Sequence, residues 1–405
     1  MVRWSNGVAV RYGESRMLFD PIESDPAIPH IFITHAHFDH SKGFQFPTQK
    51  KYSTKETKEL YEADSGHLAG NWEPIRLGRR MKLGEVEVEA HDAGHMLGSV
   101  QYEIISPEGN LVYASHLNFS DTLLFSAAEV APCETLIIEA AFPSRALKLP
   151  PREQVIAEMV KWTLECVREK RVPALAVQTM GNAQELTKIF NVWTELQVVV
   201  HPQIARANRI YESDGIALRY VDASTPIAEE LVGQGKCVVL IPKRFDVTRF
   251  GDFRVAHVTA WPNLAHDPAG RVFPLSDQAD LDSLLKFVQE SRPKIVLAFR
   301  GGSKVLAELV TKKFGVVGRE LSSPISSPKR IVTRLDPERI GKCEDILRNA
   351  VQIHDFTYEK RDLLAICLKE GFKLQEVEQA LGELTQKGEF QYSAATDGYS
   401  LAKSE

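Results

Sequence analysis

The chain has 405 residues, 43% hydrophobic and 25% charged, which excludes a disordered or fibrous protein and leaves room for two or three globular domains. Its formal net charge of -5 excludes a global pull toward nucleic acid, so any such binding rests on a local patch. No apolar run is long enough to span a membrane, and the first residues, MVRWSNGVAVRYGESR, have no secretion-signal core, so a cytoplasmic protein with no membrane partner is expected.

From Gly7 to Pro21 the sequence alternates and turns at Gly13-Glu14-Ser15, as a β-hairpin does. Ile31 to Thr34 reads as a short strand, and the loop that it feeds carries His35, His37, Asp39 and His40 within six residues. Two histidines at i and i+2 leaving a strand point to one side. A carboxylate and a third imidazole follow, so the loop reads as a ligand set for one or two divalent ions. Thr54 to Ala63 reads as a helix. Met81 to Ala90 reads as one alternating strand leading into AGHMLGS, where His95 sits in a Gly-flanked turn. Leu111 to Tyr113 is a short strand running into ASHLNFSD, and Thr135 to Glu139 is an apolar strand that ends on a carboxylate. This first third reads as the strand-rich half of an αββα sandwich.

After Pro150 the periodicity changes. Val155, Met159, Trp162 and Cys166 form a helical stripe over Arg152 to Val167. Strand-like runs at Ala174 to Gln178, Val198 to Val200 and Cys237 to Ile241 then alternate with helical segments, as in a small parallel α/β layer, and residues 151–244 read as an inserted domain. Pieces of sandwich type are expected to return over 245–321: His257 to Trp261, Phe273 to Leu281, the strand Ile295 to Phe299 and a helix from Ser303. Residues 322–339, opening on SSPISSP, read as a linker. Over 340–405, helical stretches at Lys342 to His354, Thr357 to Glu370 and Leu374 to Lys387 precede a hairpin turning at Asp397-Gly398, the pattern of a winged-helix domain. The five cysteines, Cys133, Cys166, Cys237, Cys343 and Cys367, form no CxxC pair and read as reduced core thiols.

The loop from His35 to His40 resembles the HxHxDH signature of the metallo-β-lactamase superfamily, and later residues narrow the resemblance to its β-CASP branch, whose members cut RNA or DNA with two zinc ions and include 3′-end processing nucleases. The likeness covers roughly the first 320 residues. It implies an αββα sandwich interrupted by an α/β β-CASP domain. It also implies a first zinc on His35, His37 and His95, with His116 standing where the family has an aspartate that bridges both metals. The second zinc would use Asp39 and His40, but Arg300 stands at the position of a late histidine ligand, and a guanidinium has no lone pair for a metal. It could instead sit in the place of that ion and pair with Asp39; a surface position is the other reading.

Gln278 replaces the histidine of an LSDHAD-type segment and cannot transfer a proton near neutral pH, while Glu139 retains the carboxylate of an ESTYG-like segment. Gly181 and Asn182 open a GRAQEL-like helix whose amides could cup a phosphate, although Asn182 is also a good N-cap residue. Each catalytic departure alone is worth about 3 to 5 kcal/mol of barrier. One zinc is therefore expected in preference to two, in a nuclease-like protein with impaired chemistry that binds RNA or single-stranded DNA or acts as a scaffold. The alternatives are an active nuclease with a rebuilt mononuclear site and, less suited to the inserted domain, a hydrolase of the wider superfamily. The winged-helix segment from Ile340 carries eight Lys/Arg against twelve Asp/Glu, so a protein partner or self-association is expected there before nucleic acid.

Overall fold

A computed structural model of the chain describes residues 1–141, 149–243, 245, 252–260, 271–321, 337–351, 358–372, 374–393 and 398–402. They fall in two compact units, Met1–Pro324 and Ile325–Glu405. Among the described residues no helix is long and apolar enough to cross a membrane.

In the first unit, one sheet takes β1 (Val2–Trp4), β2 (Val8–Tyr12), β3 (Ser15–Phe19), β4 (His30–Phe32), β5 (Lys50–Ser53) and β6 (Trp72–Pro74) in sequence order. The second takes β7 (Met81–Leu83), β8 (Val86–Asp92), β9 (Val100–Ser106), β10 (Gly109–Ala114) and β11 (Thr135–Glu139), and is completed by β18 (Ile295–Phe299) and β19 (Val317–Glu320) beside β11. Period-two alternation makes the sandwich. In β4, Phe32 faces inward to join Phe19, Tyr102, Tyr113, Ile137 and Phe299 between the sheets. Its neighbour Ile31 packs outward with Phe44 and Tyr61, beside α1 (Phe38–Ser41) and α2 (Lys55–Ser65). On the far side Leu136 and Ala298 pack against Leu284 and Leu306 of α7 (Leu281–Ser291) and α8 (Ser303–Phe314). The result is an α/β fold with the layers of an αββα sandwich.

The third sheet is wholly parallel, in the order β14 (Val221–Asp222), β13 (Gln197–Val200), β15 (Cys237–Pro242), β12 (Val172–Val177), β16 (Phe253–Val258), β17 (Arg271–Phe273). Its central strands β12 and β15 are continuous apolar runs because both of their faces are covered. Trp162 of α3 (Arg152–Arg168), Phe190 of α4 (Asn182–Trp193) and Ile204 of α5 (Pro202–Ser213) pack on one face, and Ala228 of α6 (Pro226–Gln234) on the other. A separate cluster joins this layer to the sandwich: Ala36 of the histidine loop and Met96 and Leu97 of the His95 turn pack with Met180, Ala207 and Tyr211.

Three expectations shift. The inserted layer does not end near 244, because β16 and β17 pair into the third sheet, and the segments from His257 and around Phe273 therefore belong to it. Alternation cannot reveal which sheet a strand joins. Met81 to Ala90 is two antiparallel strands, β7 and β8, turning at Gly84, whose φ of 61° allows the chain to reverse. The expected linker at 322–339 lies outside the described residues up to 336, and its last three residues already belong to α9 (Pro337–Ala350).

The second unit follows α9 with β20 (Tyr358–Glu359), α10 (Lys360–Lys369), α11 (Leu374–Gln386), β21 (Phe390–Ser393) and β22 (Gly398–Leu401). Its core is Ile340, Cys343, Leu347, Leu363, Cys367, Val377, Leu381 and Leu384. His354, Thr357, Lys373 and the hairpin turn at Asp397 lie outside the described residues. All five cysteines are free and buried.

The junction of β18 and α8 is the tightest backbone corner near the site. Gly301 has φ 37°, and a Cβ there would run into the carbonyl oxygen of Ala140. Gly301→Ala is expected to destabilise the chain by about 2 kcal/mol, read as a lowered thermal midpoint.

Candidate metal centre

Two residues at strand ends aim side chains into one place. Asp20 after β3 has φ 43°, and Arg300 after β18 has φ 55°. Left-handed backbone is costly for residues other than glycine, so neighbours must hold it. Around Asp20 they do. Its carboxylate accepts from the Thr34 amide (2.8 Å), the Thr34 hydroxyl (2.7 Å) and the Tyr113 hydroxyl (3.1 Å), and stands 3.0 Å from His40 Nδ1. Asp20 thus fixes the start of the histidine loop from below.

His35, His37, His95 and His116 meet above it, and each offers a ring nitrogen within 4.8 Å of the others. His35 Nε2 is buried with no hydrogen-bond partner, as an imidazole aimed at an ion would be. His95 Nδ1 lies 2.8 Å from the carbonyl oxygen of Asp277, and donating there leaves the lone pair on Nε2, 3.3 Å from His37 Nδ1. Burial lowers the pKa of His35, His37 and His95, that of His95 to about 3, so these rings stay neutral, the form that binds metal. Gln278 Nε2 lies 3.1 Å from His116 Nδ1. Turning that amide by 180° presents its oxygen to Nδ1–H and frees the other nitrogen as a ligand. The cluster fits one ion.

The second expected position holds a different chemistry. Arg300 Nη1 donates to Asp39 Oδ2 (3.3 Å) and to Glu139 Oε1 (3.2 Å) and stands 2.9 Å from His40 Nε2, while Nη2 reaches the Asp39 carbonyl (3.3 Å). Burial would lower the His40 pKa, yet the carboxylates of Glu139, Asp20 and Asp39 around it outweigh burial and raise it to about 10, with Nε2 also 3.2 Å from Asp39 Oδ2. Ser115 donates to Glu139 Oε2 at 2.8 Å. Burial alone would raise the Glu139 pKa, yet His40, His116 and Arg300 outweigh it and hold the carboxylate well below its usual range. Asp39 and His40, the expected ligands of a second ion, face a guanidinium, so the residues present do not fit that ion. His40 also forms a candidate group with His116 and Glu139, and one with Asp20 and His35, and the same guanidinium lies against it in both.

A cavity of about 300 Å³ opens beside the centre, lined by His37, Asp39, His116, Asn182, Lys243 and Asp277 among others. Gly181 and Asn182 come to its edge, but the cap of α4 is Gly181 (φ 86°) and Asn182 is the first helical residue, so the N-cap reading of Asn182 is corrected. The permissive glycine takes the cap, and Gln184 Oε1 accepts from its amide at 2.8 Å. A Cβ on Gly181 would stand 2.8 Å from Asp277 Oδ2, so this helix end already faces a carboxylate, which disfavours a phosphate there. Lys243 supplies a cation on the cavity wall instead.

Asp20, Ser115, Asp277, Lys243 and Arg152 escape the sequence reading. Arg152 Nη1 donates to the Ser276 carbonyl (2.7 Å) and pairs with buried Glu185, pinning the loop that holds His95 and His116. Only Asp20, closing the apolar strand of LFDP, carries a local signal.

No family model matches the chain. It is 27% identical over 308 residues to the probable DNA ligase of Opitutus terrae, covering 70% of this chain and 28% of that protein. It is 25% identical over 371 residues to the transcription termination factor FttA of Thermococcus kodakarensis (75% of this chain, 56% of that protein) and 22% identical over 231 residues to the RNase J-like protein of Methanocaldococcus jannaschii (52% and 55%). The chain thus spans between 28% and 56% of the length of these curated relatives. A crystal structure of a protein of unknown function from Enterococcus faecalis V583 shares the fold, with a TM-score of 0.56 at 17% identity over 73% of this chain and 92% of that one. The layered sheets, the histidine cluster and these relatives define a metal-binding nuclease-like protein. These relatives support a metallo-β-lactamase/β-CASP nuclease-like family for the chain.

Replacing Asp20 by alanine removes the acceptor for three buried donors and the partner of His40. Asp20→Ala is expected to cost about 3 kcal/mol or more of stability in denaturant titration.

Proposed function

We propose that this chain is a strand-binding protein of RNA or DNA processing, with one zinc ion on His35, His37, His95 and His116 and little or no phosphodiester hydrolysis, acting as a nucleic-acid-binding or scaffolding subunit. The observation that carries the reading is Arg300, whose Nη1 lies 3.3 Å from Asp39, 3.2 Å from Glu139 and 2.9 Å from His40. Two-metal hydrolysis requires ions that stabilise both the attacking and the leaving oxygen. A guanidinium supplies charge without a coordination position, and it does not dissociate. When bound, a zinc ion in the histidine cluster supplies Lewis acidity toward a phosphate oxygen. Arg300 and Lys243 attract the strand, and Gln278 orients His116 without donating a proton to a leaving group.

The names of the RNase J-like and FttA relatives support RNA as the strand, and that of the probable DNA ligase supports DNA. A second reading, a slow one-metal nuclease, is favoured by the histidine cluster itself, four imidazoles whose ring nitrogens can hold one ion. The winged-helix unit contributes a protein contact or self-association in this proposal. On α11, Glu376 is already held by Arg339 at 2.8 Å, and Lys387 is drawn to Glu344 at 2.6 Å, which leaves little positive charge for phosphates.

Protein purified without added metal is expected to carry one zinc ion per chain, and zinc is expected to raise the thermal midpoint of wild type but not of His37→Ala. Labelled RNA and DNA should be bound and not cut above the His37→Ala background. Two ions, or cutting that vanishes in His37→Ala, would sink this reading. A double variant that returns ligands to the second position, Arg300→His with His116→Asp, is expected to raise the metal content from one ion to two, measured by elemental analysis.

A further inference from the structure

One side chain of the histidine loop faces away from its neighbours. His35, His37 and His40 are between 0% and 5% exposed, yet Phe38 among them is 66% exposed. Single apolar residues on a surface are ordinary. Phe38 is set apart by its position, because it forms the lip of the cavity whose wall holds His37, Asp39, His116 and Lys243. Its backbone begins α1, with buried His37 before it and buried His40 and Ser41 after it, so the ring stands on a fixed base. Among the described residues no aromatic ring packs against it, and Lys42, one turn on, places Nζ 4.9 Å from the ring centroid.

A fixed, open aromatic face with a cation beside it, at the edge of a cavity whose wall carries Lys243 as well as Asp39 and Asp277, has the features of a platform for an unpaired nucleobase. Stacking uses the π-face that every base has, and the ordered loop makes the ring cheap to present. We infer that Phe38 stacks the base of a nucleotide whose phosphate lies toward Lys243 on the cavity wall, away from Asp277, with Lys42 beside the strand's backbone. The ligand class is single-stranded nucleic acid recognised through a base, RNA and DNA alike. The inference rests on the strand-binding function proposed above and adds the residue that grips the base.

The test uses the full chain and fluorescent single-stranded oligonucleotides of about 12 nucleotides, as RNA and as DNA, with a matched set in which an abasic site is moved along the strand. Phe38→Ala and Phe38→Leu are expected to weaken binding of the intact strands roughly 5- to 100-fold, with Phe38→Trp binding like wild type. At one position the abasic strand should cost wild type that factor and cost Phe38→Leu nothing further, which is the coupling that a stacked pair requires. RNA and DNA should lose binding together. The inference is overturned if Phe38→Leu binds like wild type, or if it weakens intact and abasic strands equally at every position, which would mark a structural role. If wild type binds neither oligonucleotide, strand binding itself falls and takes the inference with it. Strong wild-type binding that ignores Phe38 would remove the inference alone.

Discussion

Glu139 is 5% exposed and ionised, Asp20 lies buried below it, and Asp39 closes the rim, so three carboxylates converge where β3, β11 and β18 end. Such a convergence needs compensating positive charge. In a two-metal site that charge is exchangeable and brings vacant coordination positions with it. Here Arg300 supplies it covalently, from a residue with φ 55°, and the strained backbone is tolerated because Gly301 and Gly302 let the chain turn against Ala140, whose carbonyl accepts from the Gly302 amide at 2.9 Å. Much of the geometry around the site follows from fitting a planar, five-donor group where the sequence resemblance places a metal ligand.

The inserted layer is part of the site's mechanics. Arg152 of α3 fixes the Ser276 carbonyl, the next residue accepts from His95 Nδ1, and the one after it contacts His116. Met180, just before α4, takes His37 Nε2 at 3.2 Å through its carbonyl. Three of the four imidazoles are therefore oriented by segments beyond residue 150. The packing of Ala36, Met96 and Leu97 against Met180 and Tyr211 holds those segments in register with the sandwich. A change in how the inserted layer seats would reach the centre through these hydrogen bonds.

The sequence made the histidine loop legible because its ligands are local, three imidazoles and a carboxylate within six residues. His95, His116 and Arg300 were legible only through family resemblance, since no periodicity links positions so far apart. Asp20 and Arg152 stayed hidden for a physical reason: each acts through partners more than ten residues away, and a lone Asp or Arg at an element's end looks like an ordinary cap or surface charge. The edge of the inserted sheet was hidden in the same way. Strands of three to six residues such as β16 and β17 announce that they are strands but not whom they pair with. The turn at Gly84 was passed over because the alternation of MKL and VEVEA continues on both sides of it.

The departures from the family pattern are linked through the retained Glu139. Arg300 donates to Glu139, Glu139 lies 3.7 Å from His116, and His116 lies 3.1 Å from Gln278. Among the described residues Arg300, His116 and Gln278 leave no buried polar atom unpartnered, whereas His35 Nε2, Asn182 Oδ1 and Asp277 Oδ2 beside them are unpartnered. Random erosion of an active site would be expected to orphan the groups that lost their partners, at about 1 to 3 kcal/mol each. Arg300, His116 and Gln278 instead lie on one connected path through Glu139. Once a guanidinium neutralises Asp39 and Glu139, a further bridging carboxylate would add uncompensated charge, so a neutral imidazole suits position 116 better than aspartate. That imidazole then needs an outer partner to set its tautomer, and a glutamine amide can turn to provide one where a second histidine would bring a titrating charge. The three positions form one connected unit around a fixed cation.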